Sequence, residues 1–202
     1  GAGKAGRVIA WNRATRQRLW SQSVGTHLND LGPLPATEVR VCPGLFGGVL
    51  SSMAYANGRL FVPTVELCMN ESSVASANLL QRPPEGGRGV LYAIDAATGR
   101  KEWSRRFATP LFGCATVARD VVFVPGFDGS IVGLSAHDGR TLWSARARAG
   151  INSCPAVAGD LLRVGAGAPH AGIRAPVTEL IAYGLSNAAG AAGPARRAQA
   201  GS

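Results

Sequence analysis

Lysine is almost absent from this sequence. Lys4 and Lys101 are its two lysines, so arginine carries the net charge of +9 over 202 residues. The arginines are scattered, with short pairs at Arg105–Arg106 and Arg196–Arg197, and no basic helix or nucleic-acid motif organises them. The pI near 10.4 therefore reads as a solvated arginine-rich surface, and nucleic acid is not expected as a partner. No apolar run reaches the roughly 18 residues of a membrane-spanning helix, so the chain is not expected to be transmembrane. No charged, apolar, small-residue leader opens it, and "GAGKAGRVIAWN" reads as mid-domain sequence, so an excised or truncated chain is expected. Catalytic signatures are also missing: no HExxH and no Ser/His/Asp nucleophile arrangement. "GAGKAG" lacks the Gly-Lys-Ser/Thr ending and the preceding strand of a phosphate loop. The four cysteines, Cys42, Cys68, Cys114 and Cys154, have no metal-ligand spacing.

What is abundant is punctuation. With 27 glycines and 12 prolines, many short elements are expected in place of long helices. A hydrophobic fraction of 46% beside 16% charged residues is globular. A fifteen-residue pattern recurs: "GRVIAWNRATRQRLW" (6–20), "GVLYAIDAATGRKEW" (89–103) and "GSIVGLSAHDGRTLW" (129–143). Each runs from glycine to tryptophan through a polar turn at the same offset. The last two copies are 40 residues apart and the first two 83, close to twice that period, which is the mark of a propeller array.

Two further strands per unit lie between the copies. "CATVARDVVFV" (114–124) reads as strand, Arg119–Asp120 turn and strand, and "SCPAVAGDLLRVGAG" (153–167) repeats it. "SSMAYANGRLFVP" (51–63) matches both, with an Asn57–Gly58 hairpin turn. Four antiparallel strands per roughly 40 residues make an all-β propeller blade. Residues 1–185 then hold about three to four blades, with the outer two strands of the first and three strands of the last. They are expected to be part of a larger ring of seven or eight blades, or of a ring completed by a second copy, since an open end exposes apolar blade faces. Residues 66–88 form a polar insertion loop, and 186–202 an Ala/Gly/Arg tail expected to be disordered.

In "AIDAATGRKEW" and its two degenerate partners the chain resembles the PQQ-like, or quinoprotein, β-propeller repeat family, whose tryptophan-docking motif these residues match. The resemblance covers residues 6 to about 185. A second stretch, "CPGLFGGVLSSMAYANGRLFVP" (42–63), is similar to a Cys-Pro…Gly-Gly…Pro-x-Ala-Tyr segment of quinoprotein alcohol dehydrogenases, and 89–167 follow the order of their C-terminal blades. The family holds both dehydrogenases, with PQQ and calcium on the propeller axis, and non-catalytic scaffolds of outer-membrane assembly. In the enzymes the metal ligands and catalytic aspartate come mainly from blades that have no counterpart in this sequence, so no catalytic residue and no metal ligand is assigned. The Trp-Asn-Gly-Gly-like stretch of the enzymes' cofactor pocket aligns with Leu111, Phe112, Gly113 and Cys114, without the Asn and with a cysteine at the second Gly. The adjacent-cysteine pair of many such enzymes is also missing.

The resemblance makes Trp20, Trp103 and Trp143 interblade wedges. Asp95, Thr98, Gly99 and Gly139 form the turns through side-chain-to-backbone bonds and positive-φ glycines; calcium at Asp95 is not expected, one carboxylate being too few oxygens. An exported family implies disulfides: Cys114 with Cys154 across neighbouring blades, and Cys42 with Cys68 at the base of the insertion, with four buried thiols as the alternative. His137 sits in a turn and His170 is isolated. His27, Asn29 and Asp30, in "GTHLNDLGP" (25–33), form the candidate functional loop. The expected function is an exported (periplasmic, extracellular or cell-envelope) binding or assembly scaffold. Its partners would be another protein, a small-molecule or glycan ligand, or the remaining blades. The alternative is the C-terminal part of a PQQ-dependent alcohol or sugar dehydrogenase, with PQQ and calcium as cofactors.

Overall fold

The computed structural model describes residues 1–74, 87–169, 177–184 and the strand at 196–198. Residues 75–86 of the insertion, His170 and the remainder of the 186–202 tail lie outside the described residues. Seventeen strands and no helix are present among those described, so none of them forms a helix long and apolar enough to cross a membrane. The chain divides into two compact units, Gly1–Leu111 and Phe112–Ser202.

The first unit contains two blade sheets and a ribbon. Strands β1 (Ala2–Gly3), β2 (Arg7–Trp11) and β3 (Arg18–Ser23) form a three-stranded antiparallel sheet in that order. Strands β4 (Val39–Val41) and β7 (Met69–Glu71) pair as a separate ribbon. The second blade runs β5 (Ala54–Ala56), β6 (Arg59–Glu66), β8 (Arg88–Asp95) and β9 (Lys101–Phe107). Phe61 through Val65 of β6 are buried consecutively, so both faces of this strand are covered and no polar alternation is needed. Val8, Val24, Val49, Val62 and Ile94 make the core between the two sheets, with Trp20, Met53, Leu60 and Tyr92 packed around it.

The second unit holds two four-stranded sheets. One runs β10 (Thr116–Ala118), β11 (Val121–Pro125), β12 (Ser130–Ser135) and β13 (Thr141–Arg146). The other runs β14 (Ala156–Ala158), β15 (Leu161–Ala166), β16 (Glu179–Gly184) and β17 (Arg196–Ala198). Ile131, Ile151, Leu162, Val164 and Ile181 fill the space between them, with Phe123, Trp143 and Tyr183 at its edge.

The three sequence repeats share one backbone device. In each hairpin the first turn residue and the fifth close a ring: Arg16 N–H donates to Asn12 O, Gly99 N–H to Asp95 O and Gly139 N–H to Ser135 O, at 2.8, 2.8 and 2.9 Å. A bulge follows at the same register in all three, after the pairs Ala10–Trp20, Ala93–Trp103 and Gly133–Trp143. The fifth residue is left-handed each time, with φ of 59° at Arg16, 76° at Gly99 and 72° at Gly139. The Asn57–Gly58 hairpin also forms as read, with both residues at positive φ.

Three details differ from expectation. Ala2–Gly3 adds a third strand to the first sheet by pairing with Arg7 and Val8. The β4–β7 ribbon was not foreseen. Arg196–Ala198, within the tail expected to be disordered, pairs with β16 through Leu180↔Ala198 and Ala182↔Arg196. An unpaired strand edge offers donors and acceptors that any extended segment can satisfy, which composition alone does not register.

Candidate functional loop and cleft

The loop that follows β3 is held in place by long-range polar contacts within the first unit. Its entry is fixed at Val24, which is buried and whose N–H donates to Gly6 O at 2.8 Å. Gly25 turns the chain at φ 82°, and its N–H donates to the Tyr92 hydroxyl at 3.2 Å. Burial pushes the Tyr92 phenol up, against the opposing effect of the Gly25 N–H. A side chain at Gly25 would place its Cβ 2.9 Å from a carboxylate oxygen of Glu66. That carboxylate takes the Thr26 hydroxyl at 3.1 Å.

The three loop residues singled out from the sequence are brought together. His27 Nδ1 lies 2.6 Å from Asp30 Oδ2, and its Nε2 faces the carbonyls of Gly6 and Val24 at 3.2 and 3.3 Å. The hydrogen bond from His27 is the main reason the Asp30 carboxyl is held below its ordinary value, with burial opposing it. Asn29 is left-handed at φ 51°, and its side-chain amide donates to Arg40 O at 3.0 Å. Leu28 and Cys42 exchange both backbone bonds at 2.8 Å, tying the loop to the Cys42–Cys68 disulfide. Both nitrogens of His27 are thus committed to acceptors within the loop and the neighbouring turn. A histidine so placed braces the loop against the Gly6 turn.

Beside the loop is a small cleft lined by Thr26, Pro43, Gly48, Thr64 and Glu66, with about 220 Å³ of empty space that includes its open mouth. Glu66, Thr26 and Tyr92 were missed from the sequence. Their signal is a contact 40 residues away in the case of Thr26 and Glu66, and no local pattern carries that.

The other expected residues are structural in their surroundings. Trp20, Trp103 and Trp143 are each half-buried on the outer strands. The Trp20 indole lies on the β8–β9 turn, donating to Ala96 O at 3.1 Å. Trp103 is 6.0 Å from Phe61, and Trp143 meets Tyr183 edge-on at 5.0 Å. Asp95 Oδ1 accepts from Thr98 N–H and Thr98 hydroxyl, both at 2.7 Å, and those bonds hold its carboxyl low. All four cysteines are in disulfides, Cys42–Cys68 and Cys114–Cys154, the latter joining the two sheets of the second unit.

The stretch aligned with the dehydrogenases' cofactor pocket, Leu111 to Cys114, is enclosed by packing. Leu111 is fully buried. A Cβ on Gly113 would come within 2.4 Å of the Pro125 ring and 2.6 Å of Ser153 O, so these two groups close this position. Cys114 is sealed in its disulfide. Among the described residues no three His, Cys, Asp or Glu side chains converge as metal donors.

Four-stranded antiparallel blades whose outer hairpins end in a docked tryptophan define a segment of a PQQ-like β-propeller. The family profile described as "Outer membrane protein assembly factor BamB" matches residues 4–182, and the chain belongs to that family. Among solved structures it is similar to the quinohaemoprotein alcohol dehydrogenase ADHIIG of Pseudomonas putida HK5, with 17% identity and a TM-score of 0.66. A europium-containing methanol dehydrogenase gives 15% and 0.61, and BamB from Moraxella catarrhalis 15% and 0.41. The match covers 82% of this chain and 31% of the alcohol dehydrogenase, 81% and 35% for the methanol dehydrogenase, and 74% and 48% for BamB. The chain thus spans about a third of the two dehydrogenase structures. No curated protein matches it.

Proposed function

We propose that this chain is a non-catalytic binding or assembly module of an exported protein, acting through the loops at one end of its blades. One observation carries the reading: the stretch aligned with the dehydrogenases' cofactor pocket is enclosed by packing at Gly113 and by the Cys114–Cys154 disulfide. Two disulfides and no free thiol among the described residues suit an oxidising compartment, such as the periplasm or cell envelope. The 25–33 loop, braced by His27, Asn29 and Asp30 and anchored to a disulfide, is pre-organised for a protein, glycan or small-molecule partner.

A second reading, part of a PQQ-dependent dehydrogenase, is favoured by the likeness of residues 42–63 to the dehydrogenase segment. The two are separated by dye-linked assay of the whole protein supplied with PQQ and calcium. The scaffold reading expects no dye reduction by any alcohol or sugar, and substrate-dependent reduction would overturn it.

A further inference from the structure

The cleft beside the 25–33 loop holds a negative charge that no cation of the chain answers. Glu66 Oε2 takes the Thr26 hydroxyl at 3.1 Å, and Oε1 lies 3.4 Å from the Thr64 hydroxyl. The Thr64 proton has a nearer acceptor in Val90 O at 3.0 Å. A carboxylate has about four lone-pair sites, so most of those on Glu66 stay open. Thr26, its proton given to Glu66, also presents lone pairs only. Glu102, Asp128, Asp138 and Glu179 each meet an arginine. Glu66 makes no ion pair among the described residues, although 21 lysines and arginines outnumber 12 aspartates and glutamates in the chain.

The remainder of the lining is mostly apolar, with Pro43, Val65, Leu67 and the Cys42–Cys68 disulfide. Inside its mouth the cleft has room for about one group of the size of a water molecule. Its walls are the exit of β3 and the end of β6, which belong to the two sheets packed together in the first unit. Both walls are therefore present, and the cleft is not the uncovered face of an end blade.

We propose that this cleft binds a primary ammonium group on an unbranched alkyl stem, as carried by a lysine side chain or a free alkylamine. An ammonium has three donors and no acceptor, which matches Glu66 and Thr26, and its stem lies along Pro43, Val65 and Leu67. A guanidinium fits less well, because its fork needs both carboxylate oxygens side by side. Oε2 is engaged by Thr26, and Oε1 is so close to Gly25 that a Cβ there would fall 2.9 Å from it. Calcium takes roughly six to eight oxygens, more than one carboxylate and two hydroxyls supply. The inference deepens the binding-module reading by naming the ligand of its cleft. Its test reads ammonium binding and the test of that reading uses PQQ, so either can fail alone.

The test is titration of the full chain with n-butylammonium chloride at constant ionic strength, followed by amide NMR. Saturable shifts are expected at Gly25, Thr26 and Glu66, with the millimolar affinity of so small a ligand. Tetramethylammonium has the charge without N–H donors, and n-butanol the stem without the charge. Each is expected to bind at least about tenfold more weakly. E66Q keeps an acceptor for Thr26 and is expected to weaken n-butylammonium binding about tenfold. E38Q, at an exposed glutamate outside the cleft, is expected to weaken it less than about twofold. The peptide acetyl-Gly-Lys-Gly-amide separates the sources: tighter binding than n-butylammonium assigns the cleft to a partner's lysine, and equal or weaker binding to a free amine. Absence of saturable shifts at these amides, or tetramethylammonium or n-butanol binding as tightly as n-butylammonium, would overturn the proposal. Equal losses in E66Q and E38Q would overturn it as well, and the ligand comparisons decide even where E66Q fails to fold.

Discussion

The indole N–H of Trp20 donates to the carbonyl of Ala96, 76 residues along the chain, and the same ring lies over Gly99. A Cβ on Gly99 would fall 2.7 Å from the ring. One repeat's tryptophan therefore docks on the next repeat's turn, and the glycine serves both the left-handed turn and the space for the ring. Trp20→Ala is expected to destabilise the first unit by about 2–3 kcal/mol, below the full-burial figure because the ring is half-exposed. Trp20→Phe should lose about 1–2 kcal/mol, the hydrogen bond together with part of the ring's packing on the turn. Gly99→Ala should cost at least as much as Trp20→Phe. Urea unfolding curves of the three variants check the order.

Arg16 and Gly139 occupy equivalent left-handed positions and should respond oppositely to substitution. Arg16→Gly relieves strain and is expected to stabilise by about 0.5–1 kcal/mol, after the larger unfolded-state entropy of glycine is subtracted. Gly139→Ala is expected to destabilise by about 1–2 kcal/mol. Thermal melts of both variants read the two signs directly.

Both disulfides constrain the unfolded chain. The loop-entropy relation gives about 3.5 kcal/mol for the 26-residue separation of Cys42–Cys68 and about 4 kcal/mol for the 40-residue separation of Cys114–Cys154. Denaturation of the paired Cys→Ser variants measures each contribution. Alkylation without reduction, followed by mass spectrometry, should modify no cysteine.

The His27–Asp30 pair sets a pH dependence. The Asp30 carboxyl is depressed in the folded chain, first through its hydrogen bond with His27. Its contribution to stability is therefore complete above the unfolded value near 4 and is lost as pH falls through the lower folded value. The stability difference between wild type and Asp30→Asn should be complete by about pH 6 and shrink below about pH 4. Asp95 and Asp138 are depressed as well, so the comparison with Asp30→Asn isolates the loop's share. Urea midpoints at the two pH values supply the measurement.

The hairpins were legible because their chemistry is local. A side-chain oxygen at the first turn position (Asn12, Asp95 and Ser135), a left-handed residue at the fifth and a tryptophan four beyond it lie within nine residues, and all three copies fold on that plan. Asn57–Gly58 was legible for the same reason. The β4–β7 ribbon was not, because "VRV" and "MNE" are too short to show a period and β7 lies within the insertion, about 30 residues from its partner. The cleft was opaque too: Glu66 meets Thr26, and Tyr92 meets Gly25, only after the blades have packed. His27, Asn29 and Asp30 were visible as a polar loop. That His27 faces backbone carbonyls with its second nitrogen depends on where Gly6 and Val24 lie.

The proposal that this PQQ-like propeller segment serves without quinone chemistry is tested most directly by spectrophotometric titration of the whole protein with PQQ in the presence of calcium. The account predicts no saturable binding and an unshifted quinone spectrum. A shifted spectrum that saturates at one equivalent of PQQ per chain would contradict it.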